Sequence, residues 1–135
     1  MSVAPVVRRV IVCRKVEVTN PGPNQEYAIR GPMDVIRPRV GLSFPYAARG
    51  LWLFAQFTDG QGVYPVKLDV IRQDDGVRVG RYPLPPVRMT QGRLTVLSRG
   101  YRLPAITLPD PGVYEFRVVC GESAAADVLR VEDTT

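Results

Sequence analysis

The residues best suited to chemistry in this 135-residue chain are aspartates set in glycine-rich turns. Asp59 opens Asp59-Gly60-Gln61-Gly62, Asp74 and Asp75 sit in Gln73-Asp74-Asp75-Gly76, and Asp110 begins Asp110-Pro111-Gly112. Carboxylates gathered on loops at one end of a β-sandwich can hold calcium, which needs about six to eight oxygens at bonding distance. Two carboxyls about 5–10 Å apart in a cleft would instead suit glycoside hydrolysis. Both chemistries require convergence. Asp59 and the Asp74-Asp75 pair fall in consecutive turns, which lie at opposite ends of a meander, roughly 25–30 Å apart for an eight-residue strand. Turn formation is the favoured role, since an Asp side chain can bond the backbone just ahead of it.

Histidine is absent. Its absence removes Ser-His and Cys-His nucleophilic systems and the commonest ligand for zinc, copper and non-haem iron. Ser43, Thr95 and Ser98 have no base within their local pattern, and Gly60-Gln61-Gly62 lacks the Lys and following helix of a phosphate loop. Cys13 and Cys120 stand near opposite ends of the chain. First and penultimate strands can meet in a sandwich, so a disulfide is open to them, whereas a reducing compartment favours two buried thiols. The expectation is a protein without catalytic residues, metal or cofactor.

The elements that must position these residues are strands. Apolar residues alternate with period 2, and no segment sustains a helical apolar stripe. Strands are predicted near 7–18, 26–36, 51–58, 63–72, 77–84, 93–98, 101–108, 113–120 and 125–132. The 12 glycines and 13 prolines punctuate them, as in Asn20-Pro21-Gly22-Pro23-Asn24. The predicted fold is all-β: a two-sheet antiparallel sandwich, immunoglobulin-like or C2-like, with about seven to nine strands. One domain over 1–135 is expected, with 1–5 and 133–135 flexible; a domain of this size buries roughly two thirds of its unfolded surface. No apolar run approaches the roughly 18 residues of a membrane span. Val10-Ile11-Val12-Cys13 is too short for a secretory signal core, so a bacterial-type cytoplasm is the expected location.

Two hairpins can be tested for register. A turn at Asp59–Gly62 would set Phe57 against Tyr64, Ala55 against Val66, Leu53 against Leu68 and Leu51 against Val70, an apolar set on one face. The turn at Gln73–Gly76 would add Val70 against Val79. Near the C-terminus, Leu108-x-Asp110-x-Gly112-x-Tyr114-x-Phe116 resembles the tyrosine corner of immunoglobulin-like sandwiches. It predicts Tyr114, Phe116, Val118 and Cys120 on one face, with Glu115 and Arg117 on the other.

Two surface features follow. With Leu51, Leu53, Ala55 and Phe57 inward, Trp52 and Phe54 point outward, beside Pro65 and Ile71. Such a face calls for cover by a loop or the N-terminal strand, or for contact with another chain. The second feature is charge. The net +5 falls entirely between Arg72 and Arg102, where Arg72, Arg78, Arg81, Arg88, Arg93, Arg99 and Arg102 meet just Asp74 and Asp75. On the strand near 93–98, Leu94 and Val96 are expected inward, with Arg93, Thr95 and Leu97 outward. Sixteen of the 18 basic residues are Arg, which fits a GC-rich genome as well as phosphate selection. Tyr82 and Tyr101 are the stretch's aromatics, too few for a base-stacking platform.

Val10-Ile11-Val12-Cys13, Phe44-Pro45 before the long hairpin and Pro111-Gly112-Val113-Tyr114-Glu115-Phe116 resemble a family of small bacterial immunoglobulin-like sandwich proteins of unknown function. The likeness spans most of the chain and implies a fold, not catalytic residues. That family's first strand carries acidic residues after the Cys, where Arg14-Lys15 stand here. The expected function is a non-enzymatic protein-binding or assembly module using a sheet face or edge, its partner another protein or a second copy. Trp52, Phe54, Ile71 and Lys67 are the expected contacts, with Asp69 beside them. The alternative is an anion or nucleic-acid binder acting through Arg78, Arg81, Arg88, Arg93 and Arg99.

Overall fold

Strand after strand in this chain is apolar on one side, and two sheets bury those sides against each other. A computed structural model describes residues 3–20, 26–39, 41–90, 92 and 95–133. Among them are eleven strands: β1 (Val6–Val18), β2 (Tyr27–Pro32), β3 (Val35–Ile36), β4 (Tyr46–Ala48), β5 (Trp52–Thr58), β6 (Gly62–Arg72), β7 (Arg78–Met89), β8 (Leu97–Arg102), β9 (Ile106–Leu108), β10 (Gly112–Cys120) and β11 (Ser123–Val131). One sheet runs β2-β1-β5-β8, the other β3-β11-β10-β6-β7, and β4-β9 form a two-stranded ribbon. The all-β sandwich is as predicted; its strand count exceeds nine because short pieces such as β3, β4 and β9 are separate elements. Val3 makes a backbone bridge to Gln61, and Pro5 is buried.

The core is supplied alternately. Val10 and Val12 of β1, Leu53, Ala55 and Phe57 of β5, Val66, Leu68 and Val70 of β6, and Tyr114, Phe116, Val118 and Cys120 of β10 all join one cluster. The tyrosine corner is present: Tyr114 donates its hydroxyl hydrogen to the Asp110 carbonyl at 2.7 Å and accepts from the Asp110 N–H at 3.3 Å. Its ring is fully buried, so the corner joins the β9–β10 turn to the core.

The predicted hairpin at Asp59–Gly62 is not one. β5 pairs with β1 and β8, whereas β6 pairs with β7 and β10, so this turn carries the chain from one sheet to the other. Leu53, Ala55 and Phe57 belong with Val66, Leu68 and Val70 in the same core, from opposite sheets. Alternation specifies which face of a strand is buried, and a strand across the core satisfies it as well as a neighbour in the same sheet. The β6–β7 hairpin does form, but with an irregularity that sets Val70 against Gly80 instead of Val79. The phase of β8 is also reversed from expectation: Leu97 packs on the core while Val96 is 57% exposed.

The sandwich has one sealed flank. Here β1, before it meets β2, would expose backbone donors, and β11 supplies acceptors for them. Ser123 Oγ accepts from the Val7 N–H at 2.9 Å, and Asp127 Oδ2 accepts from the Val12 N–H at 2.7 Å. On the opposite flank β7 and β8 are the edge strands of their sheets.

Candidate functional site

Three regions carry the residues singled out by sequence. On the outer face of β5, Trp52 and Phe54 form a second apolar cluster with Cys13 and Val16, joined by Ile11, Tyr27 and Ile29. The last part of β1 leaves β5 and pairs with β2, and this hairpin lies over the face. The change of phase falls at Arg14, opposite Gly31, whose φ of +60° is a conformation glycine adopts without steric cost. Tyr27 meets Phe54 edge-on with centroids 6.0 Å apart, and Val16 presses on Gly100, where a Cβ would come within 2.6 Å of its methyl. Phe54 is 4% exposed and Trp52 is half-buried. The expected aromatic contact surface is therefore covered within the domain. Nor are Trp52 and Phe54 beside Pro65 and Ile71, which lie on the other sheet.

Cys13 is buried in this cluster and Cys120 in the main core, both as free thiols. Burial pushes both thiols above their ordinary value, which suppresses the reactive thiolate.

The outer face of the β6 sheet is laced with charge. Asp69 accepts two hydrogen bonds from Arg81, at 2.7 and 3.0 Å, and is itself 6% exposed. The guanidinium of Arg81 holds this carboxyl below its usual value, against the opposing effect of burial. Glu115 pairs with Arg117 at 2.6 Å on the adjacent strand. Lys67 is exposed and Ile71 half-buried on this face. The acidic turns are likewise engaged: Arg72 bridges Asp75 at 2.9 Å and Asp110 at 2.6 Å, and lowers the Asp75 carboxyl by hydrogen bonding. Asp59 pairs with Arg8 at 2.9 Å. Among the described residues, no three His, Cys, Asp or Glu side chains group as a metal site requires.

Most of the Arg-rich stretch lies in β7 and β8, edge strands of their sheets, with β9 reaching β7 through the Thr107–Tyr82 hydrogen bond. A small cleft of about 20 Å³, lined by Arg88, Met89, Thr90, Thr95 and Leu97, marks where the end of β7 meets the start of β8. Arg81 is committed to Asp69, and Arg93 lies outside the described residues. Arg78, Arg88 and Arg102 are exposed and Arg99 is half-buried; among the described residues none of these four makes an ion pair. Arg99 donates to the Ser98 carbonyl at 3.1 Å. The two aromatics of the stretch are occupied: Tyr82 packs on Gly80 and accepts from the Thr107 N–H at 3.2 Å, and Tyr101 is 4% exposed. Burial raises the Tyr101 hydroxyl well above its ordinary value.

A further basic group escaped the sequence reading. Arg14, Arg37 and Arg49 come from three separate segments and border one pocket of about 170 Å³. No local signal marks them, because their convergence depends on the placement of β1, β3 and β4.

The chain matches no family model, and no curated protein matches its sequence. The described residues contain no helix long and apolar enough to cross a membrane.

Proposed function

We propose that this chain is a non-enzymatic binding module whose contact surface is the basic flank of β7 and β8, and that it takes an extended acidic segment of a partner protein. The observation that carries this reading is the pair of edge strands bearing Arg78, Arg88, Arg99 and Arg102, which make no ion pair among the described residues. An edge strand offers unpaired backbone donors and acceptors to an incoming strand, and nearby cations select an acidic one. The two edges differ. Pro83, Pro85 and Pro86 deplete β7 of N–H donors, whereas β8 (Leu97–Arg102) contains no proline, so β8 is the edge for strand addition. Like charge opposes pairing of this flank with a second copy. The buried Tyr101 and engaged Tyr82 leave no platform for stacking bases, which favours a protein over a nucleic-acid partner.

The test is titration with an eight-residue alternating Glu-Val peptide, followed by amide chemical shifts and repeated at rising salt. Expected are shifts along 97–102, weakening as salt rises, and loss of binding in the Arg88→Glu/Arg102→Glu double variant. Shifts confined to other strands, or binding unchanged in the double variant, would overturn the reading. Tighter binding of a single-stranded oligonucleotide of equal charge would transfer the flank to nucleic acid. Light scattering at low and high salt tests self-association through any other surface.

A further inference from the structure

We propose that the pocket bordered by Arg14, Arg37 and Arg49 binds a small amphipathic oxyanion: a carboxylate or phosphate monoester carried on a compact apolar group. This site is separate from the β7–β8 flank and does not depend on it. Its walls come from β1, the β3 edge and the β4–β5 connection.

Six apolar residues line the pocket beside its arginines. Ile36, Ala48 and Leu51 are buried there, and Met33, Val35 and Tyr46 complete the lining. Three arginines border the pocket, and among the described residues no carboxylate lines it. Arg37 meets Glu132 through Nε at 3.3 Å, and Glu132 is shared with Arg130 at 3.1 Å. Among the described residues, Arg14 and Arg49 make no ion pair.

Like charges bordering one pocket repel, and an anion bound there lowers that repulsion. Arginine suits the task, because its planar fork donates in pairs to carboxylate and phosphate oxygens. The stem of Arg14 lies against Gly31, where a Cβ would come within 2.7 Å of Arg14 Cδ. The volume of about 170 Å³ is below the roughly 300 Å³ of common drug-sized sites. It has room for a head group and one ring or short aliphatic body.

Calorimetry and amide chemical-shift mapping with phenyl phosphate, benzoate, inorganic phosphate and benzylammonium test this assignment. Phenyl phosphate or benzoate should bind and shift amides within 33–37 and 48–51; the tighter of the two identifies the head group. Arg14→Gln and Arg49→Gln should each weaken binding about tenfold. Both side chains are exposed, so the variants should keep the parent thermal midpoint. Arg8→Gln, near the start of β1, should leave affinity unchanged. Failure of both oxyanions to bind would overturn the proposal. So would equal weakening in Arg8→Gln, equal affinity for inorganic phosphate, or binding of benzylammonium at the same pocket.

Discussion

Phe54 and Ile71 occupy comparable positions, each on the outer face of an interior strand of its sheet, yet Phe54 is 4% exposed while Ile71 is half-buried. The difference begins in β1. That strand is 13 residues long, and beyond Cys13 its partner is β2 and no longer β5. The surplus hairpin brings Val16, Tyr27 and Ile29 onto Phe54 and Trp52 and makes a second, smaller core. No hairpin lies over Ile71; its neighbours on the face are ion pairs, Asp69 with Arg81 and Glu115 with Arg117. An outer face can thus be completed by burial or by charge. Aromatic content alone does not distinguish a docking surface from an internal one.

Truncation should separate the two faces most strongly. Phe54→Ala should cost about 3–5 kcal/mol in denaturant unfolding, as for a phenyl ring removed from a packed core. Ile71→Ala should cost about 1 kcal/mol, since part of that side chain already meets solvent. Equal losses would mean that the hairpin does not pack as described. An effect smaller than that of Phe54→Ala is expected from Gly100→Ala. The added methyl would collide with Val16, so about 1–3 kcal/mol should be lost, with faster hydrogen exchange in β2.

The smallest effect concerns pH on the charged face. The folded carboxyl of Asp69 titrates below its ordinary value of 3.8 because Arg81 hydrogen-bonds its ionised form. Its contribution to stability is therefore complete above that value and is lost as pH falls through the lowered folded one. Asp69→Asn should flatten this part of the profile, measured as the denaturant midpoint between about pH 2 and 5. Phe54→Ala should leave the slope as it is. A slope unchanged in Asp69→Asn would remove Asp69 from the account of this face.

Much of the architecture was legible because its determinants are local. Tyr114, Phe116, Val118 and Cys120 face the core as their alternation requires, and the hydroxyl of Tyr114 reaches the Asp110 backbone within the same turn. The β6–β7 hairpin was also legible, except for the irregularity at Val70. The cover over Trp52 was legible as a choice between a loop, the N-terminal strand and another chain, since an apolar outer face must meet something. That β1 itself would supply it depends on a change of partner near Arg14 and Gly31, which no apolar period records.

By itself, the sequence determined which side of most strands is apolar, where the chain turns, and that its excess charge lies in one continuous stretch. Tertiary structure decided that Asp59–Gly62 passes between sheets, that Arg81 is neutralised by Asp69 while Arg88 makes no ion pair among the described residues, and that Arg14, Arg37 and Arg49 border one pocket. The physical reason is range. Alternation and turn chemistry act between residues a few positions apart, whereas strand partners and the meeting of distant charges depend on how whole sheets pack.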